Sequence, residues 1–305
     1  MATTSAGSLK TWFLETRPQF LILTPMCVLV GVAAAAFDGV DLEPLYVTLT
    51  LVGALLAHIS VNVLNDYFDF RSGIDLATKR TPFSGGSGIL PAGLLKPQQV
   101  YWLGLASLIG TGVIGIYFTY VYGWGILPLG VLGILVVYLY TTHITKNPLL
   151  CAVAPGLGFG PLMVIGTYFT QTGEYSLTAG LASLVPGFLV SNLLLLNQFP
   201  DVEADKVASR RHLPIVFGRR FSARVYTALM VATYVSLGLA VGFGVLPLTA
   251  LIGLLSLPLA VKAVMGVLKN YDDVERLLPS LGLNIQVILL TTLLTGVGIL
   301  LGLLL

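Results

Sequence analysis

The feature that most constrains this chain is its series of long apolar stretches, separated by short polar breaks. A membrane crossing takes roughly 20 predominantly apolar residues, because in lipid every backbone polar group must be satisfied within its own helix. Nine such stretches are predicted, at about 18–38, 44–65, 98–121, 123–142, 149–170, 177–199, 222–243, 246–266 and 280–305. With 56% hydrophobic and only 10% charged residues, the 305-residue chain cannot form a water-soluble domain. The expected fold class is all-α, an integral membrane bundle of nine transmembrane helices forming one domain over 1–305 within the lipid bilayer. The first stretch follows Lys10 and Arg17 and ends in Ala33 to Ala36, as a signal peptide would. It reads instead as a retained helix, since the later helices need packing partners.

Basic residues favour the cytoplasmic side of short loops, which orients the bundle. A cytoplasmic N-terminus puts all 16 Lys and Arg on that side or near a helix end facing it, while the opposite loops carry only Asp38, Asp41, Glu43 and Glu174. The net charge of +2 is therefore polarised across the membrane and offers no surface for nucleic acid. Cys27 and Cys151 fall inside predicted spans, where buried thiols act as small apolar fillers.

Two cytoplasmic loops are long and charged, 66–97 and 199–221, and each opens with carboxylates at the end of an even-numbered span. The first segment runs Asn62-Val63-Leu64-Asn65-Asp66-Tyr67-Phe68-Asp69, with Gly73 and Asp75 just beyond. On a continuing helix, Asn62, Asn65, Asp66 and Asp69 are three and four residues apart and share a face. Gly73 can turn the chain so that Asp75 returns toward them. The second segment runs Asn197-Gln198-Phe199-Pro200-Asp201-Val202-Glu203-Ala204-Asp205-Lys206. There Asp201 and Asp205 lie one turn apart, with Lys206, Arg210 and Arg211 close behind.

Acids gathered at a membrane boundary repel one another and lose hydration, so they need a cation, a base or a proton. Carboxylate and amide oxygens, without His or Cys in ligand spacing, suit Mg²⁺, which shares its coordination with substrate phosphates. Two acid banks with Lys and Arg nearby thus read as a diphosphate site. Solvation of helix ends would explain a single isolated Asp, but not both clusters at the same side of the bundle. His58 alone reads as a packed polar residue. Ser84-Gly85-Gly86-Ser87-Gly88 reads as a loop more readily than as a phosphate cradle, because no helix start with Lys-Ser/Thr follows it.

At these residues the chain resembles the UbiA superfamily of intramembrane prenyltransferases, whose members carry an Asn-Asp-x-x-Asp-type motif after the second helix and Asp-x-x-x-Asp after the sixth. The resemblance covers the chain by topology, and Asn65 to Asp69, Gly73, Asp75 and Asp201 to Lys206 by motif. It implies a Mg²⁺-dependent transfer of a polyprenyl group from an isoprenyl diphosphate to an aromatic acceptor. Asn65, Asp66, Asp69, Asp75, Asp201 and Asp205 would then be metal ligands, with Asn62 and Asn197 as further candidates. Asp66, Asp69, Asp201 and Asp205 would be the catalytic acids, and Lys79, Arg80, Lys206 and Arg210 the diphosphate-binding bases. Spacing departs from the 4-hydroxybenzoate branch, with Gly73 where that branch places an acid and Asp75 two residues later. In this it looks like the branch that prenylates 1,4-dihydroxy-2-naphthoate on the way to menaquinone.

A transporter would place such acids near the membrane midplane on broken helices rather than at helix ends. A CDP-alcohol phosphotransferase would need an Asp-Gly followed by Ala-Arg between its acid pairs, a run missing from this sequence.

Overall fold

The computed structural model describes residues 6–77 and 85–305, and every regular element among them is helical. A short α1 (Leu9–Glu15) precedes the bundle, capped by Ser8, whose hydroxyl accepts from the Thr11 amide. Then follow α2 (Pro18–Phe37), α3 (Pro44–Ser72), α4 (Pro97–Tyr122), α5 (Trp124–Leu139), α6 (Pro148–Thr172), α7 (Leu177–Val207), α8 (Arg219–Gly242), α9 (Leu248–Asn270) and α10 (Val274–Leu304). Four of these open on proline, at Pro18, Pro44, Pro97 and Pro148. Its fixed φ suits a first turn, where its missing N–H has no intrahelical partner to lose.

Helices lie in order over the nine predicted stretches, but the expected count of nine membrane spans is not reproduced among the described residues. Eight helices among the described residues are long and apolar enough to cross a membrane, whereas α5 is shorter than its apolar stretch of 123–142. It consists of a three-residue 3₁₀ turn and 13 residues of α-helix. Beyond Leu139 the chain unwinds into turns, and the Thr145 hydroxyl bonds the Thr141 carbonyl there. Hydropathy counts those residues as apolar without registering that their backbone has left the helix.

The largest core joins α2, α7, α8 and α10 around Leu189, Leu196, Phe199, Tyr226 and Ile288, all essentially without solvent exposure. Next to it, α6 passes very close to α7. A Cβ on Gly156 would stand 2.2 Å from the Gly187 carbonyl oxygen, and one on Gly160 would stand 2.6 Å from the Gly187 Cα. Small residues let helix backbones approach in lipid, where packing rather than hydrophobic exclusion drives association. Within α6, Pro155 and Pro161 flank and enter a π-helical stretch, Gly158–Ile165, which widens the helix beside the interior.

A second, smaller core lies at one end of the bundle. Val63, Ile89, Leu90, Leu95 and Val100 bury together there, with Trp12 of α1 packed on them. That core fastens α1 and the segment after residue 85 to the end of α3. The far end of the bundle is closed differently: the Asp38 carboxylate accepts hydrogen bonds from Tyr168 Oη at 2.9 Å, Ser176 Oγ at 2.7 Å and Thr178 Oγ1 at 2.8 Å. Cys27 and Cys151 are both free and buried, in keeping with the filler role.

Candidate active site

The sequence places polar loops at 66–97 and 199–221, but helix persists into both. α3 continues to Ser72 and α7 to Val207, with Pro200 inside α7, so Asp66, Asp69, Asp201 and Asp205 all project from helix ends. Gly73 then stops α3 with φ 82°, and the next turn, Ile74–Ala77, brings the buried Asp75 back toward the acids. At the end of α7, Ser209 takes the left-handed conformation at φ 60°. This bend turns Arg210 and His212 inward.

Arg210 joins the two motifs. Its Nη2 donates to Asp69 Oδ1, and its Nη1 donates to Asp205 Oδ1 at 2.9 Å. Burial works to lower the pKa of this guanidinium, but the carboxylates of Asp69 and Asp205 outweigh it and hold the group above its ordinary value. His212, 1% exposed, places Nε2 2.9 Å from the other Asp205 oxygen. Asn65 Nδ2 donates to Asp69 Oδ2 at 3.0 Å and to Thr141 Oγ1 at 3.1 Å, which ties the connection after α5 to the same cluster.

On the far side of α3, Asp66 faces a different set of groups. Its Oδ2 accepts the Ser87 backbone N–H at 2.7 Å, and Arg17 Nη1 approaches its Oδ1 at 3.6 Å. The Ser87 hydroxyl in turn donates to Glu15 Oε2 at 2.8 Å. Glu15 is fully buried, and burial together with the nearby Asp66 charge pushes its carboxyl up to about 8, against the opposing pull of Ser87 and Arg17. Gly86, at φ 71°, passes so close that a Cβ would lie 3.3 Å from an oxygen of each of Asp66 and Asp75. The glycine segment is therefore docked against the acids rather than free of the site.

Around these groups lie two cavities. A small polar one of about 120 Å³ is bordered by Asn65, Asp69, Asp75, Asp201, Asp205 and Arg210 among others. A much larger one, about 490 Å³, runs into the bundle between apolar side chains of α3, α4, α5 and α6. Arg17, Asn65, Tyr140, Leu194 and Asn197 border both, so the polar cavity adjoins the apolar chamber. Tyr140 stands at this junction, its hydroxyl kept well above the usual phenol range by burial, whereas Tyr168 is at the opposite end on Asp38. His58 borders the chamber and is packed as expected, bonded through Nδ1 to Thr24 Oγ1 at 2.8 Å with its ring against Phe159.

The candidate ligands thus meet as expected at Asn65, Asp69, Asp75, Asp201 and Asp205, with Asn197 beside them. Asp66 faces Ser87 and Arg17, and Asn62 donates to the Thr16 carbonyl at 3.2 Å while bordering the chamber. Of the candidate bases, Arg210 lies in the site. Lys206 does not border either cavity and pairs with Glu203 at 3.2 Å on the surface. Lys79 and Arg80 lie outside the described residues. Unforeseen in the sequence were Glu15, Arg17 and His212. Arg17 had one local signal, a cation immediately before Pro18 at the start of an apolar span.

Among the described residues, no three His, Cys, Asp or Glu side chains converge closely enough to hold a metal ion unaided. The physical reason is Arg210, which occupies the space between Asp69 and Asp205. Mg²⁺ does not require such a cage, since it keeps waters and uses one or two carboxylates plus substrate phosphate oxygens. The donors bordering the polar cavity are mostly carboxylate and amide oxygens, and the two softer groups there are engaged: His212 with Asp205, and Cys151 Sγ with Gln198 Nε2 at 3.2 Å. The donor chemistry fits Mg²⁺.

Residues 24–281 match the UbiA prenyltransferase family. The chain belongs to that family. Among the relatives of this UbiA-family protein, the 1,4-dihydroxy-2-naphthoate octaprenyltransferase of Bacillus subtilis is 29% identical over 262 residues, covering 84% of this chain and 81% of the relative. The 1,4-dihydroxy-2-naphthoate octaprenyltransferase of Escherichia coli is 28% identical, covering 96% of each chain. Among solved structures, a UbiA homologue from Archaeoglobus fulgidus bound to DMAPP and Mg²⁺ superposes with a TM-score of 0.63 at 14% identity, over 94% of this chain and 99% of that one. At that identity the likeness speaks for the shared helical fold alone.

Proposed function

We propose that this protein transfers a polyprenyl group from an isoprenyl diphosphate to 1,4-dihydroxy-2-naphthoate, with Mg²⁺ held at Asn65, Asp69, Asp75, Asp201 and Asp205 and with Asp66, which faces Ser87 and Arg17, outside the ligand set. The observation that carries the reading is the junction of a polar cavity with an apolar chamber, with an acid from each motif bridged by one guanidinium at the polar end. An isoprenyl diphosphate has that same division, a highly charged head on an apolar tail. The distribution of Lys and Arg supports a cytoplasmic position for this end of the bundle.

Bound Mg²⁺ would neutralise the diphosphate as its allylic C–O bond breaks and the electron pair departs with the phosphate oxygen. Arg210, kept charged by Asp69 and Asp205, stands where that leaving charge grows and can shift onto it without rearranging the backbone. Tyr140 borders both cavities, where the allylic carbon would lie, and a ring face turned toward that carbon would favour the cation. Chamber walls such as Leu162, Leu193 and Ile288 exclude water that would otherwise capture the cation. The electron-rich ring carbon of the acceptor forms the new C–C bond with the allylic carbon, and the ring regains aromaticity when that carbon releases its substituent as H⁺, or as CO₂ where it bears the carboxylate, the electron pair of the broken bond returning to the ring.

The naphthoate acceptor is supported by the names of the two relatives, by Asp75 in the late position of the first motif, and by a chamber apolar enough for a fused ring. The test is a competition assay: purified protein, Mg²⁺, one labelled polyprenyl diphosphate and equal amounts of 1,4-dihydroxy-2-naphthoate and 4-hydroxybenzoate. The label should appear mainly on the naphthalene product. A predominance of prenylated hydroxybenzoate would reject the acceptor, and no transfer with Mg²⁺ present would reject the activity.

A further inference from the structure

We infer that Arg17 anchors the carboxylate of the aromatic acceptor and so determines acceptor specificity. This inference rests on the proposed transfer to an aromatic acid. Arg17 borders both the polar cavity and the apolar chamber, at the mouth between them. Its side chain is only 15% exposed, and its buried Nε has no hydrogen-bond partner among the described residues. The nearer carboxylate, Asp66, stands 3.6 Å away, beyond hydrogen-bond reach, and Asp66 Oδ1 is likewise without a hydrogen bond among the described residues, while Glu15 acts on Arg17 only through its charge. A buried guanidinium whose donors are this poorly used is costly unless an anion completes it.

Two anions could do so, the diphosphate and the acceptor carboxylate, and the position of Arg17 favours the second. Arg210 already stands between the two acid banks where the diphosphate would lie. Arg17 instead lies over Phe20, its guanidinium carbon 4.9 Å from the ring centroid, and Phe20 is itself part of the chamber wall. An aromatic ring packed along that wall would present an attached carboxylate to the planar fork of Arg17, which matches a carboxylate through two parallel N–H···O bonds. The backbone holds the residue there: Arg17 has φ 56°, its N–H bonds the Leu14 carbonyl at 3.0 Å, and its own carbonyl receives the Phe20 N–H at 2.9 Å.

The experiment measures binding rather than turnover, on full-length protein in detergent loaded with Mg²⁺ and an unreactive prenyl thiodiphosphate. Calorimetry compares 1-hydroxy-2-naphthoate with 1-naphthol, which differ only in the carboxylate. In Arg17→Gln, the ratio of the naphthoate Kd to the naphthol Kd should rise roughly 10- to 100-fold over wild type, the range for a charged hydrogen-bonded pair. Arg17→Lys, which keeps the charge and loses the fork, should give a smaller rise and serves if the Gln variant fails to fold. An unchanged ratio in a folded variant overturns the assignment. If the ratio is unchanged and the thiodiphosphate Kd weakens instead, Arg17 serves the diphosphate. Wild-type protein that binds the naphthoate through Arg17 but transfers nothing to 1,4-dihydroxy-2-naphthoate would reject the proposed reaction while leaving the anion anchor in place.

Discussion

Arg210 and Asp69 face each other across the site, and removing one should not resemble removing the other. Arg210→Gln leaves two buried carboxylates without their shared cation, Asp69 with a side chain 10% exposed and Asp205 with one 3% exposed. Breaking a buried pair costs about 3–5 kcal/mol. Asn65 still donates to Asp69 and His212 still meets Asp205, so the lower end, about 3 kcal/mol, applies here. Asp69→Asn leaves Arg210 paired with Asp205 and forfeits one charged hydrogen bond, worth about 1.5–3 kcal/mol. In turnover the Asn variant should fall about 10²- to 10³-fold, the scale for losing one group that stabilises transition-state charge. Thermal unfolding in detergent, with and without Mg²⁺ and pyrophosphate, separates the two. Without Mg²⁺ the Gln variant should melt below the Asn variant. With Mg²⁺ alone it should gain more than wild type, because no guanidinium competes for Asp69 and Asp205, whereas the further gain from pyrophosphate should be smaller than in wild type, which keeps Arg210; a ligand at 100 times its Kd adds about 2.7 kcal/mol. A Gln variant as stable as wild type, or indifferent to Mg²⁺, would refute the placement of the cation between the motifs.

Two further outcomes are expected. Glu15 binds its proton more tightly in the fold than in the unfolded chain, so stability should decline as pH rises from the ordinary value of 4.5 through about 8; Glu15→Gln should flatten that decline and melt above wild type at pH 8.5, and an unaltered pH profile would refute the burial argument. Gly160→Leu has no room against Ser183 and Gly187 of α7 and should lose at least about 1–3 kcal/mol, read as a lower melting temperature, whereas a stable variant would mean that α6 and α7 do not pack as described.

What the sequence reveals about this protein follows the physics of its solvent. Lipid forbids unpaired backbone, so α3 and α7 announce themselves by length and hydropathy, and acids at their ends stand out because so little else is charged. One-turn spacing was enough to align Asn65 with Asp69, and Asp201 with Asp205. Contacts made by the fold leave no such trace. Glu15 becomes buried only because Trp12 packs onto the core shared by Val63 and Leu90. Lys206 and Arg210 look equivalent along the chain, and the bend at Ser209 sends only Arg210 inward. The end of α5 at Leu139 was hidden for a related reason, since hydropathy does not see where backbone bonding changes.

That short α5 makes the bilayer part of the machine. Its 3₁₀ turn and 13 α-helical residues span about 25 Å, against roughly 30 Å of hydrocarbon, and no residue of its α-helical part is buried. Lipids on this flank must thin to meet it, at fractions of a kcal/mol per Å. Leu129, Gly130, Val131 and Gly133 of the same helix border the chamber, so on this flank a single helix with no buried residue in its α-helical part forms the wall of the compartment. A wall one helix thick should yield with the bilayer around it, so the thickness of the host membrane is expected to affect which isoprenoid tail lengths are accepted.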